Sequence, residues 1–160
     1  MNILIIGEEI CEKIQNNYIK KEISINQTIY SLKVKNINNN QWYYISGENI
    51  QNGYEDYLKI AQEEEISVIF IHKGNQGYDE NLKKVATKNK ISIPIIGFHN
   101  TDKKIVDALV NCDVEVIQRE MDKKIRIPAI SDLKHEIVNL LEPLRIDIEG
   151  LIDKNFDKEY

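Results

Sequence analysis

The residues best suited to chemistry are two histidines, His72 and His99, each closing a short apolar run. An imidazole titrates near neutrality and is a common metal ligand. If the two runs are neighbouring strands, the rings approach one another and form a coupled titrating pair. With Glu8 or Glu9 from the first run they could also hold a divalent cation. The same rings can equally do no more than hydrogen-bond loop carbonyls. No further ligand spacing supports a metal, so none is assigned. The third histidine, His135, falls on the polar side of a predicted helix and is expected to be solvated.

Other reactive groups carry less. Thr101 lies near His99, but a nucleophilic hydroxyl must touch its base. Thr101 is better placed as the N-cap of a following helix, with Asp102 in its first turn. Cys11 falls on the apolar face of a predicted helix, as a small buried hydrophobe would. Neither Cys11 nor Cys112 belongs to a CxxC or a zinc-type spacing, and reduced thiols of a cytoplasmic protein are expected. Gly7 is followed by Glu8-Glu9-Ile10, without the further glycines that let a pyrophosphate approach the backbone, and both carboxylates would repel it. The phosphate loop ending in GK[ST] is absent from the sequence. No cofactor can be named.

Composition narrows the field. The net charge of −5 opposes a nucleic-acid partner. Lys20-Lys21 and Lys123-Lys124 have acids nearby and read as solvated faces. No apolar run approaches the roughly 18 residues of a membrane span, and no signal-peptide pattern precedes the first strand, so no membrane partner is expected. A hydrophobic share of 42% with 29% charged residues is that of a globular domain.

The elements that must position these groups follow from periodicity. Asn2 to Ile6 is a continuous apolar run ending at Gly7, the signature of a strand buried on both faces. Ile10, Ile14 and Tyr18 then recur every four residues as one helix face. Thr28 to Lys35 alternates, Asn36 to Asn40 turns, and Trp42 to Ile45 is β-prone, which predicts a hairpin insertion near residues 28–46 whose second strand joins the main sheet. A helix follows over Tyr54 to Glu64. Ser67 to Ile71 and Ile91 to Phe98 are further buried strands, each followed by a helix, the first carrying Leu82, Val85 and Ala86 and the second Ile105, Ala108 and Leu109. Val114 to Ile117 reads as a fifth strand, with Ile125-Arg126-Ile127 as an edge strand beside it. Ser131 caps a last helix through Leu144.

These alternations predict an α/β fold: a three-layer, doubly wound, flavodoxin-like and mostly parallel sheet in the order 2-1-3-4-5. A single domain over residues 1–152 is expected, with a charged tail over 153–160. Ligands of such folds bind beyond the carboxyl ends of the strands. Candidate ligand-binding residues are therefore Gly7, Glu8 and Glu9; His72, Lys73, Gly74 and Asn75; His99, Asn100 and Thr101; and Arg119.

Aligned by its strand ends, the chain resembles the receiver domain of bacterial response regulators from Met1 to about Leu141. The residues carrying the resemblance are Ile3-Leu4-Ile5-Ile6 before Gly7-Glu8-Glu9, Gly77-Tyr78-Asp79 after the third strand, Ile93-Pro94-Ile95-Ile96 in the fourth, and Val106-Asp107-Ala108-Leu109 through Val116-Ile117. The resemblance implies a degenerate receiver: His72 stands at the phosphoacceptor position, Glu8 and a glycine replace the acidic pair, His99 replaces the hydroxyl, and Arg119 replaces the lysine. Aspartyl phosphorylation is then not expected. The resulting expectation is a non-enzymatic, receiver-like signalling or protein-interaction domain. Its partner would be another protein or a second copy, bound through the C-terminal helix region, and the apolar Ile146, Ile148, Leu151 and Ile152 are expected to be covered either by a second copy or by the domain itself. The alternative is a small-ligand, nucleotide- or metal-dependent enzyme or sensor using the strand ends.

Overall fold

The computed structural model describes residues 1–126. Met1–Glu120 forms one compact unit, and Met121 begins a second. The expected last helix, its apolar continuation and the charged tail lie outside the described residues, as do His135 and the proposed C-terminal dimer contact.

The first unit is an α/β structure around one mixed sheet of six strands. Its strands are β1 (Asn2–Ile6), β2 (Ile19–Ile25), β3 (Thr28–Ile37), β4 (Asn40–Ile45), β5 (Val68–His72) and β6 (Ile95–Phe98). The order across the sheet is β2-β3-β4-β1-β5-β6. β1 pairs in parallel with β4 and β5, and β5 with β6, while β2, β3 and β4 form an antiparallel meander. The parallel strands therefore run in the chain order 2-1-3-4, consistent with a Rossmann- or flavodoxin-like sheet.

Four expectations are corrected. The sheet is partly antiparallel because the insertion is a three-stranded meander, not a hairpin. Its first strand, β2, begins where the helical reading still counted Tyr18: α1 (Glu8–Lys13) stops at Ile14, whose extended backbone ends the helix, and the left-handed Asn17 reverses the chain. Asn26-Gln27 and Asn38-Asn39 then supply the paired positive φ angles of two-residue hairpin turns.

The expected fifth strand is a helix, α5 (Val114–Met121). Cys112 ends α4 (Lys103–Asn111) in the left-handed conformation, and the side chain of Asp113 accepts a hydrogen bond from Val116 N at 3.3 Å. A C-cap followed at once by an N-cap turns one helix into the next. Ile125 and Arg126 end a π-helical turn (Asp122–Arg126) and form no edge strand. Among the described residues β6 is thus the outer strand on its side.

Helices α2 (Tyr54–Glu63) and α3 (Tyr78–Lys88) cover one face of the sheet, and α1 and α4 the other. Leu4, Ile6, Ile69 and Ile71 pack with Leu58, Ala61 and Leu82 on the first face. Ile3, Ile5, Trp42, Tyr44 and Phe70 alternate onto the second, and all nine strand residues are essentially inaccessible. Burying such an aliphatic side chain contributes roughly 2 kcal/mol. The two-sided burial explains why β1 reads as an uninterrupted apolar run. Tyr44 ties the second face together, its hydroxyl donating to Leu109 O at 2.6 Å. No helix among the described residues is long and apolar enough to cross a membrane.

Candidate functional site

At β1 the chain turns from one half of the sheet to the other, so the loops after β1, β4 and β5 diverge and leave a crevice. A cleft of about 300 Å³ opens there. Gly7 and Glu8 line it from β1, Ser46, Gly47 and Glu48 from β4, and His72, Gly74 and Asn75 from β5, with Ile6, Ile50, Ile71 and Tyr78 as its apolar wall.

Backbone geometry shapes the cleft. Gly7 N donates to Ile45 O at 3.0 Å, and a Cβ on Gly7 would touch His72 Cβ and the Phe98 ring, each at 3.5 Å. Gly47 has φ +69°, and a Cβ there would come within 2.5 Å of Ile6 Cγ2. Gly74, with φ +62°, lies under the Tyr78 ring, 2.6 Å from where its Cβ would be. Both loops are therefore confined to glycine twice over, by conformation and by space. Next to the lining, the Gln51 amide meets the Gln76 side chain and donates to Oη of the wall residue Tyr78 at 3.0 Å.

His72 ends β5 opposite Phe98, its ring 6.0 Å from the phenyl ring. Burial lowers its pKa below the usual histidine value; Glu9 pulls the other way and His99 adds to the lowering. His72 therefore presents a neutral imidazole at neutral pH, able to donate from one nitrogen and accept at the other. It also borders a second, open groove of about 440 Å³ with Glu8, Glu9, Glu12 and Asn100.

The strand-end residues divide into groups. Gly7, Glu8, His72, Gly74 and Asn75 meet at the cleft, and Glu9 and Asn100 at the groove. Lys73 leaves both: its amide donates to Phe98 O at 2.9 Å and its Nζ lies 4.0 Å from the buried carboxylate of Asp79. His99 is exposed, and its carbonyl accepts from Asp102 N at 3.0 Å. Its strand neighbours that of His72 as expected, but no group of three or more His, Cys, Asp or Glu side chains among the described residues is arranged to hold a metal ion. The histidine-and-glutamate cation site is not assembled.

Two positions are corrected. Asp102, and not Thr101, is the N-cap of α4, its carboxylate accepting from Ile105 N at 3.4 Å, while Thr101 stands exposed in the preceding turn. Arg119 belongs to α5, far in kind from a strand end, and its guanidinium lies 3.8 Å from Glu115 one turn earlier. Ser46, Gly47, Glu48 and Tyr78 were not foreseen. The strand-end rule, applied to Trp42–Ile45 as it was to the other strands, would have found the first three.

No protein-family model matches the chain, and no curated protein matches it. Among solved structures, a mutant of futalosine hydrolase from Helicobacter pylori is similar at a TM-score of 0.33 and 11% identity, over 45% of this chain and 34% of that one. The chain thus spans about a third of the length of that protein.

Proposed function

We propose that the Met1–Glu120 unit is a non-enzymatic sensor of a small polar ligand, bound in the cleft at the ends of β1, β4 and β5. The observation that carries this reading is the cleft itself: a concavity of about 300 Å³ with convergent polar groups, at the switch point of the sheet. The lining also suggests the ligand's charge. Glu8 and Glu48 contribute carboxylates, and among the described residues no lysine or arginine lines the cleft, which favours a neutral or cationic, hydrogen-bond-donating molecule over a phosphate.

The resemblance to receiver domains supports a signalling role for the same place. In that view occupancy of the cleft replaces aspartyl phosphorylation, with neutral His72 where the family has its phosphoacceptor. The loops after β4 and β5, joined through Gln51, Gln76 and Tyr78, respond to what lies between them.

Thermal-shift screening of the full chain against amines, polyols, nucleosides and amino acids tests the proposal. A ligand of this site raises Tm in the unaltered protein and loses that effect in both His72→Ala and Glu48→Lys. If no compound shifts Tm, or if the shift survives both substitutions, the cleft is not the binding site.

A further inference from the structure

β2 is an outer strand of the sheet, and among the described residues nothing pairs with its free edge. Its sequence is Ile19-Lys20-Lys21-Glu22-Ile23-Ser24-Ile25. The Asn26-Gln27 turn joins Ile25 directly opposite Thr28, and in such a two-residue hairpin the flanking residues exchange both backbone hydrogen bonds. Counting back by twos, the backbone groups of Ile25, Ile23, Lys21 and Ile19 point to β3. Those of Ser24, Glu22 and Lys20 point outward and are free to pair.

The side chains at the outward positions complete the pattern. Lys20 and Glu22 lie on the same face, both exposed, and neither joins an ion pair among the described residues. Lys20 stands opposite Lys33 on β3, a like-charge neighbour, while Lys33 is already committed to the carbonyls of Cys11 and Ile14 at 2.7 Å each. On the other face Lys21 reaches Glu64 of the same chain at 2.6 Å, and Ile19 is 74% exposed.

We propose that β2 pairs antiparallel with β2 of a second copy of this chain, about a two-fold axis through Lys21, joining two sheets into one. In this register Lys20 of each copy lies opposite Glu22 of the other, twice by symmetry, and these are the residues whose backbone groups face outward. Ile19 lies opposite Ile23 of the second copy and loses its exposure to water. Lys21 meets its own copy on the axis with its charge already answered by Glu64. The neighbouring register, centred on Glu22, sets two unpaired carboxylates against each other and is disfavoured. Lysines on an edge strand ordinarily discourage pairing with arbitrary strands. Here the order Lys, Lys, Glu makes the strand complementary to itself and to little else.

Sedimentation or light scattering of the full chain at high micromolar concentration tests this, with circular dichroism confirming the fold of each variant. The unaltered protein forms a dimer. Lys20→Glu and Glu22→Lys each weaken it by about tenfold or more, because each exchanges two attractive pairs for two repulsive ones. The double variant restores it. Amide exchange at Lys20 and Glu22 slows as concentration rises, while that at Lys21 is slow throughout. A monomer at all concentrations overturns the proposal, as does a double variant no more dimeric than either single one.

Discussion

The carboxylate of Asp79, in the first turn of α3, fills the space that a side chain at Gly97 of β6 would occupy. A Cβ on Gly97 would lie 2.7 Å from Asp79 Cγ and 2.8 Å from its Cβ. Asp79 is itself 5% exposed, with Lys73 Nζ 4.0 Å from its Oδ2. α3 can approach the sheet closely at this point because β6 offers no side chain there, and the helix so placed carries Tyr78 into the cleft wall.

Gly97→Ala should therefore destabilise the protein by about 1–3 kcal/mol, since a short aspartate cannot swing clear of the added methyl. The same substitution in an Asp79→Ala background should cost much less. Urea unfolding of the four proteins measures the coupling; additive effects would show that the two residues do not compete for space.

The buried position of Asp79 also bears on phosphorylation. Incubation with acetyl phosphate and magnesium should leave the chain without an aspartyl phosphate if the chain is the degenerate receiver that the resemblance implies, with His72 at the phosphoacceptor position. Intact-mass and peptide mass spectrometry check this, and a phosphorylated Asp79 would overturn the degenerate-receiver view.

His72 gives a pH dependence of definite sign. Its folded pKa lies below the ordinary 6.5, chiefly through burial, so below that value the unfolded chain takes up its proton first. Stability should be unaffected by this group at pH 7 and above, and should fall as pH drops from 6.5 to the folded pKa. Replacement by Gln removes the effect. Melting curves of both proteins across that window should converge in slope everywhere but there; identical slopes throughout would assign the acid sensitivity to other groups.

Tyr44→Phe isolates one tether. The hydroxyl donates to Leu109 O and lies 3.3 Å from Cys112 Sγ, and burial and this contact push its pKa far upward. Its removal leaves the α4 carbonyl with one partner fewer in a dry setting, at a cost of about 1–2 kcal/mol. The loss should appear in global unfolding and in faster amide exchange along α4. A neutral substitution would mean that packing alone holds α4 in place.

Periodicity alone determined the parallel half of the sheet. β1, β4 and β5, with α2 and α3, were legible because a strand buried on both faces must be apolar throughout and a covering helix must be apolar on one side. With these came the glycine-bounded loops and most of the strand-end residues that meet at the cleft. What the chain did not disclose locally was decided by tertiary context. Ile10, Ile14 and Tyr18 keep helical spacing, yet the helix ends at Lys13, because Ile14 is buried with an extended backbone and Asn17 turns the chain toward β2. Val114 to Ile117 alternates like a strand but coils into α5, since Cys112 and Asp113 cap two helices in succession and Ile117 is buried from the helical form. Short segments satisfy either period, so the choice falls to the partners that the folded chain supplies. The cleft follows the same logic: Glu48 and Tyr78 are remote in sequence from Gly7, and only the parallel pairing of β4 and β5 on either side of β1 brings them around one space.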